Sequence, residues 1–378
     1  MFEISRKKDG SRVGMIMTKS GAIGTPFFMP DATRGFVKSI SGDDLAKIGV
    51  SPMVVNTYHL FLNPGMALIK AAGGVHSFMN WQAPLLSDSG GFQVFSLIHK
   101  NPKMGKITED EVIFKSPANG TKNVLTPEKS IQIQFDLGVD MMVVLDDVPP
   151  NDYAKEKIAD AVERTIRWAA RCKKEYEKQL EKRKIAEKDR PLIFGVIQGG
   201  EYLDLRQHCA TELVKIGFDG YGFGARHVDA QGNFLEEVLR ETASYIPEEA
   251  LRFALGVGKP EDIVRCHSFG WDMFDCVIPT REGRHGRLFL QKSNFQFPIS
   301  KDGKNTGEGF YETLNINNGK FAEDFSKISE DCDCELCRKH TRSYLHHLFV
   351  SKDPLGMRLA AAHNLRFYMK LMEDLRKI

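Results

Sequence analysis

The sequence predicts an α/β protein: a (β/α)8 TIM barrel followed by a smaller C-terminal subdomain. Three observations carry that expectation. Eight short apolar runs alternate with longer amphipathic stretches, the rhythm of strand and helix. Unusual polar residues fall at or just past the ends of those runs, and the rhythm breaks after Arg281. A doubly wound open sheet is the alternative, since alternation alone does not say whether a sheet closes. Closure is favoured because it would gather the polar ends into one mouth, where such barrels carry their sites.

In chain order the runs are PFFMPDAT from Pro26, PMVVNT from Pro52, PLLSDSGG from Pro84, MMVVLDD from Met141, PLIFGVIQGG from Pro191, GYGFG from Gly220, LRFALGVG from Leu251 and MFDCVIPT from Met273. The clearest helix is expected over about residues 153–187. There Ile158, Ala161, Val162, Thr165, Trp168, Ala169 and Cys172 line one face among lysines and glutamates. The body is assigned to residues 1–286 and the subdomain, with a closing helix, to residues 287–378.

A chain of 378 residues suits one large barrel and an appendage. With 42% hydrophobic and 27% charged residues, disorder, collagen and coiled coil are excluded. The formal charge is +2, which argues against a bulk-basic nucleic-acid binder. Residues 281–378 hold 17 basic and 13 acidic side chains, leaving the preceding part at −2, so a polyanion would meet the tail side. The opening MFEISRKKDG has no apolar signal core and no run is long enough to span a bilayer. A soluble cytoplasmic protein without membrane contact is expected.

Seven cysteines in such a chain argue against a disulfide framework. Cys172, Cys209, Cys266 and Cys276 are scattered and expected as buried small hydrophobes. Cys332, Cys334 and Cys337, in CDCELC, place three thiols on one tight turn. Free, they would be prone to oxidation; together they supply three of the four soft ligands of a tetrahedral Zn2+. Candidates for the fourth are His340, His346, His347 and His363. His340 is close enough to strain the turn, whereas His363 begins a helix-like stretch that could return across it. Four protein ligands leave no open position, so such a zinc is structural.

The carboxylates suggest the chemistry. Asp88, in LSDSGGFQVFSL, is either a helix N-cap or a site residue beside glycines that let a flat ligand approach. Asp146 and Asp147 follow five apolar residues; adjacent carboxylates point different ways, one into the mouth and the other to a cap or solvent. Asp275 lies inside MFDCV, and burying a carboxylate in a strand is costly without a partner or task. Three carboxylates, Gln198 and no histidine relay suit substitution at a sugar anomeric carbon. His59 and His285 are isolated, and a metal-dependent hydrolase would need histidines at strand ends.

SDSGGFQVFSL, GVIQGG, GFDGYGFG, GVGKPEDI, FDCVIPTREGRHG and CDCELC with its downstream HN together resemble tRNA-guanine transglycosylase, the queuine tRNA-ribosyltransferase family, in its bacterial form. The likeness runs over nearly the whole chain. It implies a zinc-bearing barrel enzyme, a homodimer, that binds the tRNA anticodon stem-loop. Such an enzyme exchanges guanine at wobble position 34 of GUN-anticodon tRNAs (Asp, Asn, His, Tyr) for a 7-deazaguanine base, preQ1 or queuine, in queuosine biosynthesis. By the same resemblance Asp275 is the nucleophile that forms a covalent ribose intermediate, and Asp88 the general acid/base. Asp146, Gln198 and a backbone N–H near Ala225 hold the base edge, and Phe92 stacks on it opposite a wall near Leu255. Arg281 and Arg284 contact the anticodon loop. Cys332, Cys334, Cys337 and His363 ligate the zinc.

Two positions depart from the pattern. Val148 stands where bacterial preQ1-using members usually have cysteine, and GARHVD, with Ala225, Arg226, His227 and Val228, replaces a glycine-rich stretch. The incoming base therefore stays open between preQ1 and queuine. The segment from Arg287 to Cys332 is also longer than in typical bacterial members, as an added hairpin would make it. A non-catalytic tRNA-binding subunit is the alternative function, disfavoured because Asp88 and Asp275 are both present. Relatives acting at guanine 15 of archaeal tRNA usually carry further C-terminal domains.

Overall fold

The computed structural model describes residues 2–150, 153–292 and 309–377. Eight parallel strands form the central sheet: β1 (Phe27–Pro30), β2 (Met53–Asn56), β3 (Leu85–Asp88), β4 (Met141–Val143), β5 (Leu192–Ile197), β6 (Gly220–Phe223), β7 (Leu251–Ala254) and β8 (Met273–Cys276). Each coincides with one of the eight apolar runs. Neighbours in the chain are neighbours in the sheet, and β8 pairs back onto β1 with Met273 opposite Phe27. The last seam, β1 to β2, closes at Asp31 and Val54, where the Ala32 N–H donates to the Val54 carbonyl at 2.7 Å. The sheet is a barrel, and the open-sheet alternative falls.

Helices cover the outside: α1 (Gly91–Lys100), α2 (Pro127–Leu137), α3 (Lys155–Arg183), α4 (Leu203–Ile216), α5 (Glu236–Ser244) and α6 (Pro260–Ser268). On α3 the seven residues expected to face inward are all buried. A short helix, α7 (Ile278–Arg284), follows β8, and α8 (Pro354–Leu375) closes the chain.

Two elements were not legible in the apolar pattern. Three antiparallel strands, Phe2–Lys8, Ser11–Thr18 and Gly21–Thr25, precede β1. Arg12 from the second of them reaches the buried Asp272 just ahead of β8, with Nε 2.8 Å from Oδ1, and donates to the carbonyls of Glu248 and Ala250. A buried carboxylate is thus matched to a buried guanidinium, which avoids the desolvation loss of either alone. The second element is a small antiparallel sheet, Gly105–Ile107, Val112–Lys115 and Lys122–Leu125, between β3 and β4.

Past α7, Arg287–Gln291 pairs antiparallel with Tyr311–Asn315. The middle of the added hairpin expected here, residues 293–308, lies outside the described residues. A second apolar core gathers Leu288, Leu314, Ile328, Leu336, Leu345 and Leu359, while Leu365, Tyr368 and Leu375 of α8 belong to the barrel core. One helix therefore serves both cores. Its Asn364 amide donates to the Pro279 and Arg287 carbonyls, each at 2.9 Å, and its Tyr368 hydroxyl to Gly258 O at 2.6 Å. The chain leaving β8 and the turn after β7 are held against α8 by these bonds. Among the described residues no helix is long and apolar enough to cross a membrane.

Candidate active site

The mouth is built from strand ends. Asp88 closes β3, and its partner in register is Asn56, the last residue of β2. The Asn56 amide donates to Asp88 Oδ2 at 2.8 Å. Asp88 does not cap the following helix, because the N-cap of α1 is Gly90 and no side chain bonds there. Gly90 sits at φ +81°, and a Cβ on it would stand 2.7 Å from the Tyr58 backbone nitrogen, so the turn requires glycine. Burial pushes the Asp88 carboxyl above its usual range; the Gly90 N–H and Gln93 oppose this, and the charge of Asp31 adds to it.

Asp275 lies in β8 opposite Met29 of β1. The Gly256 N–H, in the turn after β7, donates to its Oδ1 at 2.8 Å. Burial pushes its pKa up to about 7; the Gly256 bond opposes the shift, and Asp31 and Asp88 add to it. The charge of Asp88 thus reaches Asp275, and the charge of Asp31 reaches both.

Asp146 follows β4 and accepts from the Gln198 amide at 2.6 Å. Its pKa is likewise pushed up to about 7, by burial first and then, against the Gln198 bond, by Asp88 and Asp147. Gln198 follows β5 and is fully enclosed, and its Oε1 finds no partner among the described residues. That side chain fits only because position 224 is glycine: a Cβ there would stand 2.4 Å from Gln198 Nε2. Arg206, wholly buried on α4, donates to the Gly200, Ile197 and Gly224 carbonyls and fixes both turns. Ala225 takes a left-handed φ of +71°, the conformation a glycine-rich turn would supply freely.

The remaining expected residues sit around this floor. Phe92 is 53% exposed in the first turn of α1, and Leu255 is half-buried directly after β7. Arg281 and Arg284 are on α7, the first exposed and the second half-buried. Contrary to the expectation above, Asp147 neither caps a helix nor meets solvent. It is buried against Arg164 of α3, and its backbone N–H donates to Thr165 Oγ1 at 3.0 Å. Cys172, Cys209 and Cys266 are buried; Cys276, beside Asp275, is only partly so.

In the second core, the Sγ atoms of Cys332, Cys334 and Cys337 lie 3.6, 3.5 and 3.3 Å from His363 Nδ1. A tetrahedral ion with zinc-like bond lengths places sulfur and nitrogen ligands about 3.6 Å apart, so the donor set fits one metal ion. His363 Nε2 is 2.9 Å from the Phe289 carbonyl, which fixes the ring with Nδ1 toward the thiols. The competing histidines are elsewhere: His340 stacks on Tyr344, and His346 Nδ1 meets the Ile316 carbonyl.

A sequence model described as queuine tRNA-ribosyltransferase matches residues 7–378. The chain is 41% identical over 371 residues to a queuine tRNA-ribosyltransferase of Staphylococcus haemolyticus, which covers 98% of this chain and 89% of the relative. A Staphylococcus aureus protein of the same name is 40% identical with the same coverage. The chain belongs to the queuine tRNA-ribosyltransferase family. It is accordingly an enzyme of the pentosyltransferase class.

The mouth also holds polar residues that the apolar pattern of the sequence does not single out. Asn56 ends an apolar run and looks like a turn residue until register sets it beside Asp88. Asp31 follows β1 directly, its Oδ1 accepting from Thr33 Oγ1 at 3.0 Å, and burial raises its pKa. The criterion that singled out Asp88 and Asp146, a carboxylate just past an apolar run, selects Asp31 within PFFMPDAT equally well.

Proposed function

We propose that this enzyme is a tRNA-guanine transglycosylase that exchanges the wobble guanine of GUN-anticodon tRNAs for a 7-deazaguanine through a covalent Asp275–ribose intermediate. The observation that carries the reading is the charge-coupled pair Asp88 and Asp275, set on one floor with the Asp146–Gln198 pair. One carboxylate can attack carbon while another handles protons, with a planar hydrogen-bonding edge fixed alongside.

In the first displacement an Asp275 oxygen bonds to the ribose C1′ as the bond to guanine breaks, and Asp88 protonates the leaving base. In the second, the incoming base gives its proton to Asp88 and its nitrogen takes C1′ from Asp275. One glycosidic bond replaces another, so no nucleotide triphosphate is needed, and two inversions retain configuration. The Gly256 N–H at Asp275 Oδ1 holds the nucleophile and steadies its charge.

Asp146 accepts from the Watson–Crick edge of guanine, which presents a donor fork to a single carboxylate. Gln198 and the Ala225 N–H serve the carbonyl oxygen. Phe92 supplies an exposed ring for stacking, opposite Leu255. Arg281 and Arg284, at the rim, contact the splayed anticodon loop. Residues 1–286 form the catalytic body and 287–378 the subdomain in which Cys332, Cys334, Cys337 and His363 hold one Zn2+. With four protein ligands that ion has no open position and serves folding rather than chemistry. A homodimer and a cytoplasmic setting accompany this reading.

The test is a denaturing gel of enzyme incubated with tRNA, wild type beside Asp275→Asn. A covalent band in the wild type that is absent from the variant is the expected result. No band from either would favour the non-catalytic tRNA-binding subunit.

A further inference from the structure

We propose that Asp31 is a positioning residue of the exchange reaction, a third carboxylate whose negative charge makes Asp88 and Asp275 share one proton rather than lose both. The inference rests on the function proposed above, and it starts from register. Met29 of β1 pairs with Asp275 of β8, and Asp31 is two residues beyond Met29, so both carboxylates leave the same face of the sheet. Asp31 pairs with Val54 of β2; Asn56 is two beyond Val54 and pairs with Asp88 of β3. Four consecutive strands thus present Asp275, Asp31, Asn56 and Asp88 on one face, with Asp31 between the nucleophile and the amide that holds the acid.

Burial disfavours that charge, and its surroundings offset this only in part. Thr33 donates to Asp31, and the charges acting on Asp275 are those of Asp31 and Asp88. Asp88 meets the Asn56 amide, the Gly90 N–H and Gln93, with Asp146 across the floor. Of the nearby cations, Arg281 acts on Cys276, next to Asp275, and Arg34 acts on His59. Like charges in one cluster resist ionising together and titrate as a set.

The reaction needs that behaviour. Before attack Asp275 is ionised and Asp88 protonated. When the ester forms, the charge on Asp275 is quenched as Asp88 gives up its proton, and the second displacement reverses both. The pair carries one negative charge throughout, moved from one side of Asp31 to the other. A neighbouring charge that disfavours the fully ionised pair keeps the one-proton state populated at neutral pH.

The experiment is the pH profile of kcat/KM for exchange of labelled guanine into tRNA, for wild type, Asp31→Asn and Asp31→Glu. Asp31→Asn is expected to move both limbs of the bell to lower pH by about one unit with its height kept within about threefold. Asp31→Glu is expected to restore the wild-type positions. Limbs that stay in place, whether the height is kept or lost, overturn the proposal. Asp31→Ser, which keeps a partner for Thr33 without charge, repeats the test if the Asn variant does not fold. A wild type that exchanges no guanine at all would instead sink the proposed function.

Discussion

Asp146 is held in a state that costs stability, and in the proposed reaction it serves binding. Burial lifts its pKa to about 7, against roughly 3.9 for a free aspartate. Sign follows from linkage: a carboxyl whose folded pKa is raised binds its proton more tightly when folded, so stability falls as pH rises from about 4 to about 7. Asp146→Asn removes that loss and keeps an oxygen for Gln198. We expect the variant to melt at a higher temperature than wild type at pH 8 and at about the same temperature at pH 4. Its guanine KM should rise about tenfold to a hundredfold, because a charge-assisted hydrogen bond contributes about 1.5–3 kcal/mol. The two readouts, thermal melting and exchange kinetics, must move in opposite senses; a lower melting temperature at pH 8 would contradict the account. Asp88 and Asp146 could be picked out in the sequence because each is a charge at the end of an apolar run, and Asp275 because it is a charge inside one. Asn56 and the burial of Asp147 could not, since their partners, Asp88 and Arg164, are set by strand register and helix packing rather than by nearby sequence.

At the scale of elements, the legible ones were those buried on two sides. Barrel strands such as Leu192–Ile197 are buried at every position and therefore read as unbroken apolar runs. The strand Phe2–Lys8 has one half-buried and one solvent face and is mostly polar, so it leaves no such run. The element whose role emerges only in three dimensions is α8. It carries His363 toward the thiols, Asn364 toward α7 and Arg358 toward Asp44, whose carboxyl the paired guanidinium holds down at about 2. The last pairing is a folded-state gain present above about pH 4 and lost as pH falls through about 2. Loss of the metal site should therefore reach further than its own turn. His363→Ala is expected to leave the purified protein with less than one bound metal ion, and to lower the melting temperature. Chelation of the wild type should reproduce both effects, since metal binding contributes folding free energy. Full metal content in the variant would show that the fourth ligand lies elsewhere.

Across the whole molecule, the charge distribution sets the problem that RNA binding must solve. The barrel mouth holds Asp31, Asp88, Asp146 and Asp275 on a protein of formal charge +2, so a phosphate backbone gains nothing from the floor itself. Attraction has to come from cations at the rim. Arg281 is exposed there, while Arg284 is half-buried and its pKa is lowered by burial and then by the neighbouring Arg281 charge. Asn364 of α8 holds the start of α7, so the pair stands on a rigid base rather than on a loop. Few phosphate contacts imply a shallow salt dependence, since each released counterion contributes a slope of about 0.7–0.9 in log affinity against log salt. We expect Arg281→Ala to weaken tRNA binding and to reduce that slope by about one. The covalent band of the proposed intermediate should survive at saturating tRNA, because the acidic floor is untouched. Arg281→Lys should recover most of the slope, a point charge sufficing for a phosphate, and recover less of the affinity if the guanidinium also stacks on an unpaired base. Fluorescence anisotropy of a labelled anticodon stem-loop over a range of salt concentrations separates these terms. An unchanged slope in Arg281→Ala would move the RNA contact off α7, and the basic tail of residues 281–378 would then have to supply it from another face.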